Sequence, residues 1–287
     1  MEQLKIKLIE CPRDAMQGWK DFIPTGIKIS YINSLLKVGF DTIDFGSFVS
    51  PKVIPQMADT KKVVKGLKIN GSNSGLLAIV ANVRGAQEAS AFDEITYLGF
   101  PFSVSETFQQ RNTNSSIEGS LKRVEEIIEI CLQKKKQPVI YISMGFGNPY
   151  GDKYSEEIVF KWVNKLVSMG ITIISLSDTV GIATPEQVFS MTKYIIDALP
   201  STEVGVHLHS HAENWRKKLE AAVKAGCKRF DGALKGIGGC PMAEDELVGN
   251  MNMERMISYF EENNYTTGIN KEALAESLKM AGEVFNE

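Results

Sequence analysis

Short runs rich in β-branched and aromatic residues recur along the chain. Between them lie longer segments whose apolar positions follow a helical spacing. The short runs predict eight strands, at 4–9, 42–45, 75–80, 94–98, 138–143, 172–176, 205–208 and 229–231. The longer segments predict helices at 25–38, 59–66, 84–91, 116–134, 155–168, 185–199, 212–225 and 245–261, with a further C-terminal helix at 271–285. Strand and helix alternating in this way make βαβ units and a parallel sheet.

Helix ends are punctuated. Thr184-Pro185-Glu186-Gln187 sets a capping hydroxyl, a first-turn proline and a reciprocating Gln in register, and Ser115-Ser116-Ile117-Glu118 offers a second capping box. Glycines at 39, 170 and 226 stand just before strands, where a left-handed residue stops a helix. The recurring phrase favours an α/β fold of the (β/α)8 TIM-barrel type with an additional C-terminal helix. Residues 1–287 then form a single catalytic barrel domain. An open doubly wound sheet is the competitor. Its phosphate signature, G-x-G-x-x-G after the first strand, is absent, and that junction reads Glu10-Cys11-Pro12-Arg13-Asp14.

Composition narrows the class. Hydrophobic residues make up 43% and charged residues 23%, enough apolar material for a large core. A formal net charge of -3 gives no case for nucleic acid, and the basic run Lys134-Lys135-Lys136 sits where it complements a helix dipole. Cys11, Cys131, Cys227 and Cys240 are spread singly, which fits a reducing compartment. The start shows no signal-peptide pattern, and no run reaches the roughly 18 apolar residues of a membrane span. A cytoplasmic protein with no membrane partner is expected. The oligomeric state is left open, a homo-oligomer included.

A barrel keeps its chemistry at the C-terminal ends of its strands. Polar residues there are Arg13, Asp14 and Gln17 after strand 1, Asp44 and Ser47 on strand 2, and Ser177-Asp178-Thr179 on strand 6. Strand 7 ends in His207-Leu208-His209-Ser210-His211, and strand 8 leads through Asp231 to Gly236-Ile237-Gly238-Gly239-Cys240-Pro241. All three histidines lie in one five-residue stretch. Residues i and i+2 of a strand share a face, about 6–7 Å apart, so His207 and His209 can converge on one ion; His211 lies past the strand end. They could equally be hydrogen-bonded barrel histidines. Asp14 can supply a carboxylate or pair with Arg13, and Asn250 can supply an amide oxygen or sit in a helix or turn. Two nitrogens, a carboxylate and an amide oxygen leave two octahedral positions for a chelating substrate. Such a set suits Mg²⁺ or Mn²⁺, while imidazole also admits Zn²⁺, Co²⁺ or Fe²⁺. Cys240, in a glycine-rich loop, can exchange a proton or serve as a small turn residue.

Together these segments resemble the 3-hydroxy-3-methylglutaryl-CoA lyase family. The matching stretches are Pro12-Arg13-Asp14 with Gln17, Ser47-Phe48-Val49-Ser50-Pro51-Lys52 with Pro55-Gln56-Met57, Leu176-Ser177-Asp178-Thr179-Val180-Gly181, His207-Leu208-His209, the loop through Cys240, and Gly249-Asn250. The resemblance implies a divalent metal, Mg²⁺ or Mn²⁺, held by Asp14, His207, His209 and Asn250. It implies an acyl-CoA substrate whose thioester carbonyl Arg13 polarises, with Gln17 and Ser47 as further substrate contacts. It also implies a loop that closes Cys240 over the site, and retro-Claisen cleavage to acetyl-CoA and acetoacetate. Cys240, Asp178 and Asp44 are the candidates for proton transfer. The chain departs from the family in carrying Asp44 where Glu is usual, and Ser210-His211 where Asp-Thr is usual. Two rivals stand beside this reading. One is a Claisen-type synthase of the same barrel group acting on acetyl-CoA and a 2-oxoacid; the other is a barrel that binds metal or ligand without catalysis.

Overall fold

The computed structural model describes residues 4–239 and 248–286. The first half runs β1 (Lys7–Glu10), α1 (Pro12–Gln17), α2 (Thr25–Leu35), β2 (Thr42–Ser47), α3 (Thr60–Gly66), β3 (Gly75–Ile79), α4 (Val83–Ser90), β4 (Ile95–Ser103), α5 (Glu106–Thr113) and α6 (Ile117–Lys134). The second half runs β5 (Gln137–Ser143), α7 (Glu156–Ser168), β6 (Ile173–Ser177), α8 (Pro185–Ala198), β7 (Glu203–His207), α9 (Trp215–Lys224), β8 (Arg229–Gly232), α10 (Met253–Glu262) and α11 (Lys271–Val284). The eight strands close into one parallel barrel in sequence order, and β8 returns to β1 with Arg229 opposite Lys7. Helices surround the barrel and α11 is the added C-terminal helix, as the periodicity predicts. Among the described residues no helix is long and apolar enough to cross a membrane.

Local chemistry explains the breaks. Gly39, Gly170 and Gly226 all take positive φ ahead of β2, β6 and β8. Thr184 and Gln187 form the expected capping box of α8. The second box is not formed: Ser116 caps α6 by accepting from Gly119, which puts Glu118 one position too early to reciprocate.

Four elements differ from the sequence pattern. Strand β4 extends to Ser103, through Gly99 and Pro101, which read as breakers. It runs four residues past Gly99, which makes the last pair with β3 (to Ile79), so Pro101 interrupts no ladder on that side. Helices α1 and α5 were not predicted. Both are short, and α1 starts on Pro12 with Asp14 in its first turn. The helix expected from residue 245 begins at Met253, capped by Asn252, whose side chain accepts from Arg255 N. Residues 245–247 lie outside the described part, and Asn250 instead makes an antiparallel bridge to His209.

The barrel interior is divided. Leu77, Ile79, Val139, Tyr141 and Ile173 pack one side. The other side holds charge: Arg13, Asp44, Asp231 and Arg229 are all buried. Gly205 makes this possible, since a Cβ there would meet the Arg229 side chain at 2.9 Å.

Candidate active site

A cavity of about 160 Å³ opens at the C-terminal ends of the strands. Arg13, Asp14, His207 and His209 are among its lining residues, with Ile79, Pro101 and Phe108 as apolar wall and Asn112, Thr113 and Thr179 as polar wall. Both histidines are buried, at 7% and 3% exposure, rather than facing open solvent.

One ligand atom each from Asp14, His207 and His209 lies within 4.8 Å of the others. The rings of His207 and His209 meet edge-on with centroids 5.1 Å apart. Each ring is held by its Nδ1. His209 Nδ1 lies 2.7 Å from the backbone oxygen of Asp178 and must donate to it, which leaves Nε2 bare. His207 Nδ1 lies 3.3 Å from Asp231 Oδ2. Asn250 Nδ2 donates to Asp14 Oδ2 at 2.8 Å and to Ile237 O at 2.9 Å, which turns its Oδ1 the other way. Among the described residues, His209 Nε2 and Asn250 Oδ1 are buried with no protein partner. Two orphaned acceptors beside a carboxylate and a second imidazole fit a cation that completes them. The sequence-predicted ligand set is therefore brought together.

Protonation follows the same geometry. Burial works against the Asp14 carboxylate, yet Arg13 and the two histidines hold it at about 2. Burial and neighbouring His207 push His209 down, which favours the neutral, ligating ring. Burial opposes charge on His207 too, but the hydrogen bond and charge of Asp231 lift it. Arg13 lies alongside: Nη1 donates to Asp14 Oδ1 at 2.8 Å, while Nε and Nη2 both go to Asp44. Burial pushes Asp44 up to about 6 despite this guanidinium. Among the described residues, three of the five guanidinium N–H groups are thus used and two remain.

The other sequence-predicted residues fall in several places. Gln17 lines the cavity and donates to Asp14 Oδ1 at 2.8 Å. Asp44 is fully buried behind Arg13 and is absent from the lining. The Asp178 carboxylate is taken up by Lys218 Nζ at 2.7 Å and Ala183 N at 3.1 Å. Ser47 is buried off the cavity, its hydroxyl accepting from Val49 N. Cys240 lies outside the described residues. His211 is exposed, beyond the end of β7.

Sequence reasoning passed over Tyr141, Asn112, Thr113 and Lys218, and gave Asp231 no role. Tyr141 shares the inward parity of Val139 and Ser143 on β5, so strand alternation could have found it. Its buried hydroxyl has no protein partner among the described residues. Asn112 and Thr113 ride on α5, which the pattern did not show.

The sequence pattern described as HMGL-like matches residues 5–280. The chain belongs to the HMGL-like family. It is 34% identical to the mitochondrial hydroxymethylglutaryl-CoA lyase of Bos taurus over 277 residues, covering 95% of this chain and 83% of that one. It is 33% identical to the cytoplasmic 3-hydroxy-3-methylglutaryl-CoA lyase of Rattus norvegicus, covering 95% and 79%. An HMG-CoA lyase from Acinetobacter baumannii, solved with coenzyme A and 3-methylmalate, superposes with a TM-score of 0.91 at 31% identity, covering 99% of this chain and 92% of that one. The hydroxymethylglutaryl-CoA lyase of Pseudomonas aeruginosa gives 0.91 at 29% identity, covering 100% and 95%. This HMGL-like barrel thus carries a buried His/Asp cluster able to hold a metal at the rim where barrel enzymes keep their chemistry.

Proposed function

We propose that this HMGL-like chain is a divalent-metal-dependent carbon–carbon lyase that cleaves 3-hydroxy-3-methylglutaryl-CoA to acetyl-CoA and acetoacetate. The observation that carries the reading is the convergence of Asp14, His207 and His209, with the orphaned His209 Nε2 and Asn250 Oδ1, beside a guanidinium that has two donors free. Relatives that are HMG-CoA lyases, one of them solved with coenzyme A, supply the substrate class.

Asp14, His207, His209 and Asn250 would hold Mg²⁺ or Mn²⁺, as the mixed oxygen and imidazole set suits. Bound there, the ion would act as a Lewis acid on the substrate's hydroxyl and carboxylate oxygens and lower the hydroxyl pKa. Arg13 orients the thioester carbonyl with its free donors and offsets the charge that develops on the enolate oxygen. That guanidinium stays in place because Asp44 and Asp14 grip it from two sides.

Loss of the hydroxyl proton to a carboxylate lets the C–C bond break, its electron pair passing to the acetyl-CoA enolate as the ketone of acetoacetate forms. Asp44, lifted to about 6, and Asp178 are the two candidates for this acceptor, and neither lines the cavity: Arg13 takes up the first carboxylate, Lys218 and Ala183 the second. The enolate carbon then takes a proton, for which the Cys240 thiol is the donor. Ile79, Pro101 and Phe108 keep water from the enolate. Free, buried Cys11, Cys131 and Cys227 support work in a reducing, cytoplasmic compartment.

The deciding experiment is product analysis with 3-hydroxy-3-methylglutaryl-CoA. Acetyl-CoA and acetoacetate should appear in equal amounts with Mg²⁺ or Mn²⁺ and cease with a chelator. No cleavage with either metal, or metal-independent cleavage at the same rate, overturns the reading.

A further inference from the structure

Lys218 stands in the run Arg216-Lys217-Lys218, which reads as a solvated helix face. Yet Lys218 is 1% exposed, turned inward from α9. Its ammonium donates at 2.7 Å to Asp178 Oδ2, at 3.0 Å to Gly181 O and at 2.9 Å to His209 O, so all three of its protons are placed.

Each of these acceptors lies next to the cluster. Asp178 is fixed at its backbone as well as its carboxylate. Its N donates to His207 O at 2.9 Å, and its O receives His209 Nδ1. Gly181, at φ +72°, has no room for a Cβ because Val248 would lie 2.7–2.9 Å away. Val248 leads through Gly249 into Asn250, and Gly249 O accepts from Ser210 N at 3.0 Å. One ammonium therefore joins the exits of β6 and β7, and through Gly181 the segment that carries Asn250.

We infer that Lys218 is a positioning residue for the metal ligand His209, clamping the Asp178 carbonyl and the His209 backbone so that the ring presents Nε2. This rests on the proposed metal site. Lys218 does not itself line the cavity and touches none of the reacting atoms; its effect passes through Asp178 and His209. A buried ion pair also has a structural consequence, since removing one partner leaves the other charge uncompensated. The test must separate the two.

The purified full-length protein is titrated with Mn²⁺, with free ion read by electron paramagnetic resonance. Wild type is compared with Lys218→Met and with Lys218→Met/Asp178→Asn, which leaves no orphaned carboxylate. The double variant carries the test if the single one does not fold. Mn²⁺ affinity should fall about 10- to 100-fold in either variant, the range typical of groups that orient a ligand, and should stay low in the double variant even where its thermal midpoint recovers. Wild-type Mn²⁺ affinity in a folded variant overturns the inference. Nitrogen NMR of the metal-free protein tests it separately. Wild type should show His209 protonated at Nδ1 and bare at Nε2, and the double variant a tautomer mixture. An unchanged tautomer overturns the role of Lys218. Absence of Mn²⁺ binding in wild type overturns the metal site instead, and the ring measurement still decides Lys218.

Discussion

Arg13 Nε lies 3.1 Å from Asp44 Oδ2, and the same guanidinium reaches Asp14 through Nη1 at 2.8 Å. A planar fork can hold two carboxylates in fixed directions; an ammonium cannot. Arg13→Lys should therefore lower kcat by about 10²- to 10³-fold, as loss of a preorganised donor does. Steady-state turnover read beside Mn²⁺ titration checks this. Mn²⁺ affinity should fall less than kcat, and a near-wild-type kcat would remove Arg13 from the chemistry.

Asp44 also sets a pH dependence in the metal-free protein. Its carboxyl is at about 6 against an ordinary 3.8, so between those values the folded chain binds the proton more readily than the unfolded chain. Its contribution to stability is present below that window and is lost as pH rises through 6. Relative to Asp44→Asn, wild type should be more stable at pH 4 than at pH 7 in urea unfolding. A constant offset at every pH would refute the assignment. Asp14, held at about 2, acts in the opposite sense: its contribution is present above 3.8 and lost as pH falls toward 2.

His209→Ala should abolish metal-stimulated turnover and leave the barrel folded. The ring makes one hydrogen bond to protein, and its acceptor, Asp178 O, also receives Gly181 N at 3.1 Å. Circular dichroism beside a Mn²⁺ titration reads both halves. A variant that binds Mn²⁺ as wild type does would take His209 out of the ligand set.

Gly238 offers a test that alters no ligand. A Cβ there would stand 2.5 Å from Asn250 Nδ2 and 3.0 Å from Asp14 O, at a φ of +108°. Gly238→Ala should push Asn250 off Asp14 and raise the Mn²⁺ dissociation constant about tenfold or more. Equal affinity would show that the Asn250 amide does not serve the ion.

The barrel was legible because its signals are local. Eight β-branched runs, capping residues and glycine stops each announce an element without distant information. His207 and His209 were legible for a similar reason, since strand alternation puts both on one face. Asn250 was harder: Gly249 and Asn250 fall within a helical periodicity, and it is long-range contacts, the close approach of Gly249 to Gly236 and the bridge to His209 among them, that hold them extended. Lys218 was illegible from periodicity, because nothing separates a buried lysine from its exposed neighbours Arg216 and Lys217 until its three acceptors are placed. Asp178 was correctly set at the exit of β6, whereas Asp44 falls within β2, which runs on to Ser47. Parity and position, however, do not say that their carboxylates are taken up by Arg13 and Lys218.

Asp14 and Asn250 stand 236 residues apart in sequence and 2.8 Å apart in space. During synthesis at about 5–20 residues per second, roughly 10–50 s separates the appearance of one from the other. The nascent chain holds a lone carboxylate for most of that interval, gains His207 and His209 near its end, and acquires the Asn250 amide only as the last barrel unit emerges. Ion capture by the proposed set would therefore be a late event that waits for β8 to meet β1. Ribosome-bound fragments ending before Asn250 would lack it, and tight metal retention would mark chains whose barrel has closed.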